Sequence, residues 1–263
     1  MALYAAFVRL KMKAMLEYRG AFFLQGICQA ASYMAEFVVL WIVISQFQTI
    51  NGWLPYEVLF LYALNLLSYS IAGSFVYSTA FQLPSMVQSG SFDEVLTKPM
   101  NPLLYMIGHR FAYQYASHIA VSIFILVLCY QRLDLTFTWV SACYLVLVVA
   151  GGAMIQASAF LYTSVPVFWM VQNQAISGFV FDLRGFIRYP ISIYHAGVQV
   201  VLTLVLPYAF VNFYPAQYFL GKSDFLFFHP VFQYLTPVVG LVLLIGAYGF
   251  WQLGIRHYKS TGS

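Results

Sequence analysis

The sequence has 263 residues, of which 62% are hydrophobic and only 8% are charged. A soluble domain carries about 25% charged residues, and a chain of this length could not bury so much apolar surface in water. The net charge of +4 is too small for the strongly basic surface that nucleic-acid binding requires. We therefore predict an integral membrane protein that contacts lipid and has no nucleic-acid partner.

The first 19 residues are predicted to form an amphipathic helix along the membrane surface. One face of this helix is apolar and another is charged, as in helices that lie on the inner leaflet. The apolar face consists of Leu3, Phe7, Leu10 and Ala14, and the charged face of Arg9, Lys13 and Glu17. Charged and apolar residues are mixed from the start, so the segment does not resemble a cleavable signal sequence.

Six apolar stretches are long enough to cross a bilayer as helices, which takes about 20 residues. They are residues 20–46, 56–83, 103–129, 138–164, 191–213 and 234–254. These stretches do not alternate apolar and polar residues as the strands of membrane barrels do. We therefore predict an all-α integral membrane protein in which residues 1–263 form a single transmembrane domain.

The distribution of lysine and arginine predicts that both termini lie in the cytoplasm. In that orientation, ten of the twelve basic residues fall on the cytoplasmic side. They are Arg9, Lys11, Lys13, Arg19, Lys98, Arg110, Arg184, Arg188, Arg256 and Lys259, whereas Arg132 and Lys222 fall outside. Residues 165–190 are interpreted as an inner interfacial segment, because a further span there would move Arg184 and Arg188 to the outer side.

A small charged block bounded by proline separates the second and third predicted spans. Ser91 and Glu94 match the capping-box pattern, and Glu94 and Lys98 are spaced for an i,i+4 ion pair. Pro99 disfavours helix at the residue before it. The pattern predicts a short helix over residues 92–98, which serves either to contact a partner or simply to connect two spans.

This block resembles a motif of a known family. The sequence "SGSFDEVLTKPMNPLLYMIGHRF" (89–111) is similar to the cytoplasmic loop between the second and third spans of permease subunits in ABC type-2 exporters. It is closest to the subgroup with a Leu-Thr-Lys-Pro-x-Asn-Pro-Leu signature, here Leu96 to Leu103. Two further segments fit the same family, "RYPISIY" (188–194) and "LPYAFVNFYPAQYFLG" (206–221). The resemblance covers essentially the whole chain.

The resemblance implies a permease subunit of an ATP-driven exporter in the bacterial inner membrane. Such permeases form dimers with the same or a paralogous chain, and each half docks on a separate ATPase that binds ATP and Mg²⁺. Residues 84–102 would hold the coupling helix, residues 1–19 the connecting helix, and residues 214–233 short re-entrant outer helices. Contacts with the ATPase are implied for Phe92, Asp93, Glu94, Val95, Lys98 and Pro99.

The triplet "GKS" at Gly221–Ser223 resembles the end of a phosphate-binding loop. The first glycine of that loop would fall at Ala216, and no strand precedes it, whereas the phosphate cradle needs both. The sequence therefore predicts that this chain binds no cofactor, is not itself an enzyme, and relies on another chain for ATP hydrolysis.

Two spans carry polar side chains at helical spacing. These are Gln25, Gln29, Ser32 and Glu36 in the first span and Tyr62, Asn65 and Tyr69 in the second. A charge at the centre of a membrane helix costs about 2.5–3.5 kcal/mol. The resemblance places both spans at the dimer seam, where these residues would line a translocation path and Glu36 would favour cationic cargo or take part in a closed gate. The alternative is helix–helix contact, with Glu36 protonated or paired to His118 or a tyrosine hydroxyl.

Proline interrupts the fifth predicted span. Pro207 removes a backbone donor and permits a bend, and Phe210, Phe213 and Tyr214 follow it. These four residues are a candidate outer gate, although aromatic residues are also common at membrane interfaces.

Two other function classes are weighed against the permease. A secondary transporter or channel subunit would in many folds show internal repeats, and none is evident. An intramembrane enzyme would need a nucleophile beside a base; His118 and Ser122 share a helical face, but no nucleophile-elbow or metalloprotease motif accompanies them. The spacing of Cys28, Cys129 and Cys143 fits no metal site or disulfide framework.

Overall fold

The structure is a computed structural model that describes residues 19–136, 138–170, 178, 180 and 182–259. The predicted amphipathic helix therefore lies outside the described residues except for its last residue. In the described part of the chain, α-helices are joined by short turns and 3₁₀-helices, and no β-strand occurs. The α-helices are α1 (Arg19–Ser45), α2 (Pro55–Gln88), α3 (Phe92–Leu96), α4 (Pro102–His109), α5 (Ala116–Arg132), α6 (Trp139–Ser164), α7 (Ala196–Val205), α8 (Phe213–Leu220) and α9 (Thr236–His257).

Among the described residues, five helical segments are long and apolar enough to cross a membrane, and a sixth crossing is possible where two helices meet at a bend. The five are Gly26–Ser45, Pro55–Gln88, Tyr113–Arg132, Trp139–Phe168 and Thr236–His257. This confirms the prediction of an all-α membrane protein. We call the end of the bundle that holds residues 89–101 the loop end, and the end that holds residues 46–54 and 221–235 the far end.

The predicted third span, residues 103–129, is not one continuous helix. It divides into α4 and α5, and the break lies between His109 and Tyr113. A π-helical turn at Gly73–Tyr77 in α2 faces this break, and the Ala112 amide donates a hydrogen bond of 2.8 Å to the Ser74 carbonyl. The break is tolerated inside the protein because a neighbouring helix supplies the acceptor that the broken helix lacks.

The predicted fifth span is also broken. The segment Ala196–Val205 meets Tyr208–Leu220 at an angle of 79°, and Pro207 lies at the bend. Proline has no backbone N–H and disfavours helix at the residue before it, which accounts for the sharp turn. Ser192, before the first arm, and Lys222, after the second, hydrogen-bond to Asn51 and Gly52 at the far end. Both arms therefore connect to the same end of the bundle, as in a re-entrant hairpin.

Glycines allow α6 and α9 to approach closely. A Cβ atom on Gly240 would lie 2.9 Å from the Gly151 Cα, and one on Gly151 would lie 2.7 Å from the Thr236 carbonyl oxygen. Real Cβ atoms do not approach backbone so closely, so the two helices require glycine here. This is the close packing by small residues that membrane helices commonly use.

Helix α1 lies at the edge of the bundle. It packs on α2 and α5, but few of its side chains are buried. Large apolar side chains such as Leu24, Ile27 and Val39 are more than 60% exposed. Such a surface faces lipid or another membrane protein rather than water.

Candidate functional site

The short helix α3 is anchored to the bundle by one aromatic side chain. Phe92 is completely buried. The centre of its ring lies 5.3 Å from that of Phe168, 6.2 Å from that of Trp251 and 5.1 Å from that of Tyr258. These rings come from the end of the α6 segment and from the end of α9, so Phe92 joins the loop to two spans at once.

The two sides of α3 differ in exposure. Val95 is buried beside Phe92, whereas Glu94, Leu96 and Thr97 are exposed. Lys98 Nζ lies 3.1 Å from Glu94 Oε1, which confirms the predicted i,i+4 ion pair, and the hydrogen bond to Glu94 raises the pKa of Lys98. The helix therefore exposes the side that carries Glu94 and Leu96, while Phe92 and Val95 are held in the bundle.

Two details of the predicted loop helix differ in the structure. The helix spans Phe92–Leu96 and ends before residue 98. Ser91 precedes it but makes no capping bond with its side chain; its hydroxyl lies 2.9 Å from the Ser89 hydroxyl instead. The predicted capping box is absent because Ser91 itself has helical backbone angles, whereas a capping serine needs an extended conformation.

The residues after α3 are also fixed in place. Pro99 is exposed, and Asn101 caps α4 by accepting hydrogen bonds from the amides of Leu103 (3.0 Å) and Leu104 (3.3 Å). The Asn101 side-chain amide also donates a 2.8 Å hydrogen bond to the Tyr248 hydroxyl on α9. The loop is therefore tied to the bundle at both of its ends.

Glu36, the acidic residue predicted inside the first span, has an arginine partner. Arg188 Nη2 lies 2.7 Å from Glu36 Oε1, and the Tyr62 hydroxyl lies 3.4 Å from Glu36 Oε2. The expected pairing with a tyrosine is present, but the charged partner is Arg188 rather than His118. The carboxylate is thus already neutralised, which counts against its use as a site for cationic cargo.

The segment around Arg188 lies deeper in the bundle than the sequence indicated. The Arg184 guanidinium lies 3.6 Å from the centre of the Tyr69 ring in α2. At the far end, the Asn51 side chain donates a 3.1 Å hydrogen bond to the Ser192 carbonyl. The described C-terminal part of residues 165–190 therefore runs along α2 toward the far end, and the interfacial position of the segment stays a prediction. Pairing with Glu36 and stacking on Tyr69 stabilise the two arginines in that position.

The remaining described residues of the predicted polar path differ in exposure. Asn65 is buried, and its side-chain oxygen accepts a 3.1 Å hydrogen bond from Gln156 of α6. Ser32 is exposed and donates to the Cys28 carbonyl in its own helix. Gln29 is half-buried, and the Gln25 side chain lies outside the described part of the chain. Their role in translocation stays a prediction.

The four predicted gate residues lie together at the far side of the bend. Pro207 forms the bend, and Phe210, Phe213 and Tyr214 are almost completely buried. The ring centres of Phe210 and Tyr214 lie 5.3 and 5.4 Å from that of Phe232. The residues therefore form an aromatic cluster, and its role as a gate stays a prediction.

Sequence reasoning missed several of these contacts. Gln156 is the one amide side chain in the predicted fourth span and was a signal for a buried hydrogen bond. The partners of Phe92 carried no such signal, since Phe168 and Trp251 are ordinary apolar residues at the ends of spans.

Comparison with models of known protein families shows the family to which the chain belongs. The family model described as ABC-2 family transporter protein matches residues 30–262. That range begins inside α1 and extends beyond the end of α9, so it includes the α3 loop and all the helices from α2 to α9. Comparison with curated proteins and with solved structures gave no match. The chain therefore belongs to the ABC-2 family of transporter proteins, in which it is a multi-pass membrane permease.

Proposed function

We propose that this chain forms half of the membrane part of an ATP-driven exporter and that the α3 loop receives the motion of a separate ATPase. The observation that carries the proposal is the two-sided loop helix. Phe92 and Val95 hold one side in the bundle, while Glu94, Leu96 and Thr97 leave the other side open to a partner.

The loop's contacts provide a path for force into the membrane. A push on the exposed side of α3 acts on Phe92, whose neighbours belong to α6 and α9. The hydrogen bond from Asn101 to Tyr248 gives a second connection to α9. Close-packed interiors transmit displacement rather than absorb it, so a small movement of the loop would shift whole spans.

The ATP and Mg²⁺ are assigned to the partner ATPase. The "GKS" triplet lies at the end of α8, where Gly221 has a left-handed conformation typical of a helix C-terminus. Phosphate binds at helix N-termini. Lys222 is already engaged, with Nζ 3.0 Å from Glu57 Oε2 and 2.8 Å from the Gly52 carbonyl. These features support the view that the triplet is structural.

The orientation follows from the basic residues at each end of the bundle. The described residues at the loop end include Lys98, Arg110, Arg256 and Lys259, whereas the far end has Arg132 and Lys222. This excess remains even though Arg184 and Arg188 lie beside α2. By the positive-inside rule, the loop end and both termini are cytoplasmic in a bacterial cell membrane. The other half of the dimer is a second permease, identical or paralogous.

Co-purification tests the coupling proposal. We expect Leu96→Asp, on the exposed side of α3, to abolish retention of the ATPase without changing the unfolding temperature of the permease. Arg256→Glu is the matched control, because it changes an exposed charge at the same end of the bundle but outside the loop. Equal retention of the ATPase by the two variants would overturn the proposal.

Cysteine labelling tests the orientation separately. Thr97→Cys is placed in a background that lacks Cys28, Cys129 and Cys143, and a membrane-impermeant maleimide is added to intact and to opened cells. We expect labelling only after the cells are opened. Labelling in intact cells would place α3 outside and remove its proposed role.

A further inference from the structure

Two arginines on one segment have different electrostatic environments. Arg188 forms an ion pair with Glu36, at 2.7 Å. Arg184 lies one helical turn away, and no ion pair among the described residues includes it. Asp182 is exposed and makes no ion pair with it. The segment thus keeps one uncompensated positive charge beside a membrane-spanning helix.

The contacts of Arg184 leave one of its hydrogen-bond donors without an acceptor among the described residues. Its guanidinium stacks on the Tyr69 ring at 3.6 Å, which covers one face of the group. The N–H donors lie in the guanidinium plane and are not used by this stacking. The Nη1 atom is buried and has no hydrogen-bond partner among the described residues. A buried donor without an acceptor is costly, so this arrangement favours an anion that supplies one.

An apolar cavity adjoins this region. It has a volume of about 320 Å³ and is lined mainly by apolar side chains, including Val180, Leu206 and Pro207. Tyr208, which follows Pro207 at the bend, also lines the cavity. Val180 lies four residues before Arg184 on the same segment, which connects the cavity with the arginine. A cationic group and an apolar cavity on one segment suit a molecule with an anionic group and a hydrocarbon chain.

We propose that Arg184 binds the phosphate of an anionic amphiphile whose apolar part occupies the cavity beside Pro207. Arginine binds phosphate through charge-assisted hydrogen bonds, and the Nη1 donor of Arg184 has no other partner among the described residues. The inference rests on the proposed function, because it names the chemical class of the transported molecule. It also reverses the cationic preference that Glu36 alone suggested.

Thermal unfolding of the purified full-length chain in detergent tests the proposal. The probes are dioctanoyl phosphatidylglycerol, dioctanoylglycerol, which has the same chains and no phosphate, and inorganic phosphate. A ligand that binds the native state raises the unfolding temperature with concentration. We expect a rise with the phospholipid and none with dioctanoylglycerol. An equal response to both lipids overturns the proposal, and so does a response to inorganic phosphate as large as that to the phospholipid.

Variants assign the effect to the residue. We expect Arg184→Gln to weaken phospholipid binding about tenfold or more, since a hydrogen bond between charged groups is lost. Arg132→Gln is the matched control, because Arg132 also lies over a tyrosine, 5.9 Å from the Tyr56 ring centre, but is exposed at the far end. Should Arg184→Gln fail to fold, Arg184→Lys keeps the charge without the planar fork and is expected to bind more weakly than the wild type.

Unchanged binding in the Arg184 variants that fold, or an equal loss in Arg132→Gln, overturns the assignment. The binding experiment needs no ATPase. Its failure is therefore distinguishable from failure of the proposed coupling, which is read from ATPase retention.

Discussion

Replacing Phe92 by alanine should release the α3 loop from the bundle. The side chain is completely buried between Phe168, Trp251 and Tyr258. Truncation of a buried phenylalanine costs about 3–5 kcal/mol, and the lower figure is appropriate here because an end of the bundle can relax. At about 1.4 kcal/mol for each factor of ten, a loss of 3 kcal/mol makes local opening about 150-fold more frequent.

Hydrogen exchange measures this opening. The amides of Thr97 and Lys98 donate to the carbonyls of Asp93 and Val95, at 3.2 and 3.3 Å, and report on the helix. We expect their exchange in Phe92→Ala to accelerate by about that factor, and ATPase retention to fall with it. The control is Leu96→Ala, whose side chain is 38% exposed and whose loss should change exchange only about twofold.

Equal acceleration in the two variants would refute the reasoning, because the anchor would then not be Phe92. Unchanged exchange in Phe92→Ala would refute it as well.

Two further predictions concern the packing of the bundle. Gly240→Val should destabilise the protein by about 3 kcal/mol or more, because the new side chain would meet the Gly151 backbone, which cannot move aside. The control is Gly249→Val. Gly249 has open space around it, so this substitution should cost less than about 0.5 kcal/mol. Thermal unfolding in detergent compares them, and similar losses would contradict the close-contact explanation. The second prediction concerns the ion pair of Glu36 and Arg188. The stability losses of the two single neutralising variants should add up to more than the loss of the double variant. The difference is the coupling energy in a double-mutant cycle, and we expect it to be about 0.5–3 kcal/mol. Strictly additive losses would mean that the ion pair contributes nothing.

The extent of most spans could be predicted from the sequence. Predicted residues 20–46, 56–83, 138–164 and 234–254 correspond to Arg19–Ser45, Pro55–Gln88, Trp139–Ser164 and Thr236–His257. Crossing a bilayer requires a long uninterrupted apolar stretch. The hydrophobicity of such a stretch is the sum of contributions from residues that are adjacent in the sequence. The ion pair in the loop was also predictable, because Glu94 and Lys98 are four residues apart.

Only the tertiary structure decided where helices break and which charges meet. The break before α5 depends on the Ser74 carbonyl, which comes from another helix and is absent from any local pattern around Ala112. Glu36 and Arg188 are far apart in the sequence, and no local pattern around either residue indicates that they form an ion pair. Hydropathy reports the average environment of a segment, whereas the partner of a buried charge or of a free carbonyl is set by distances between elements remote in sequence.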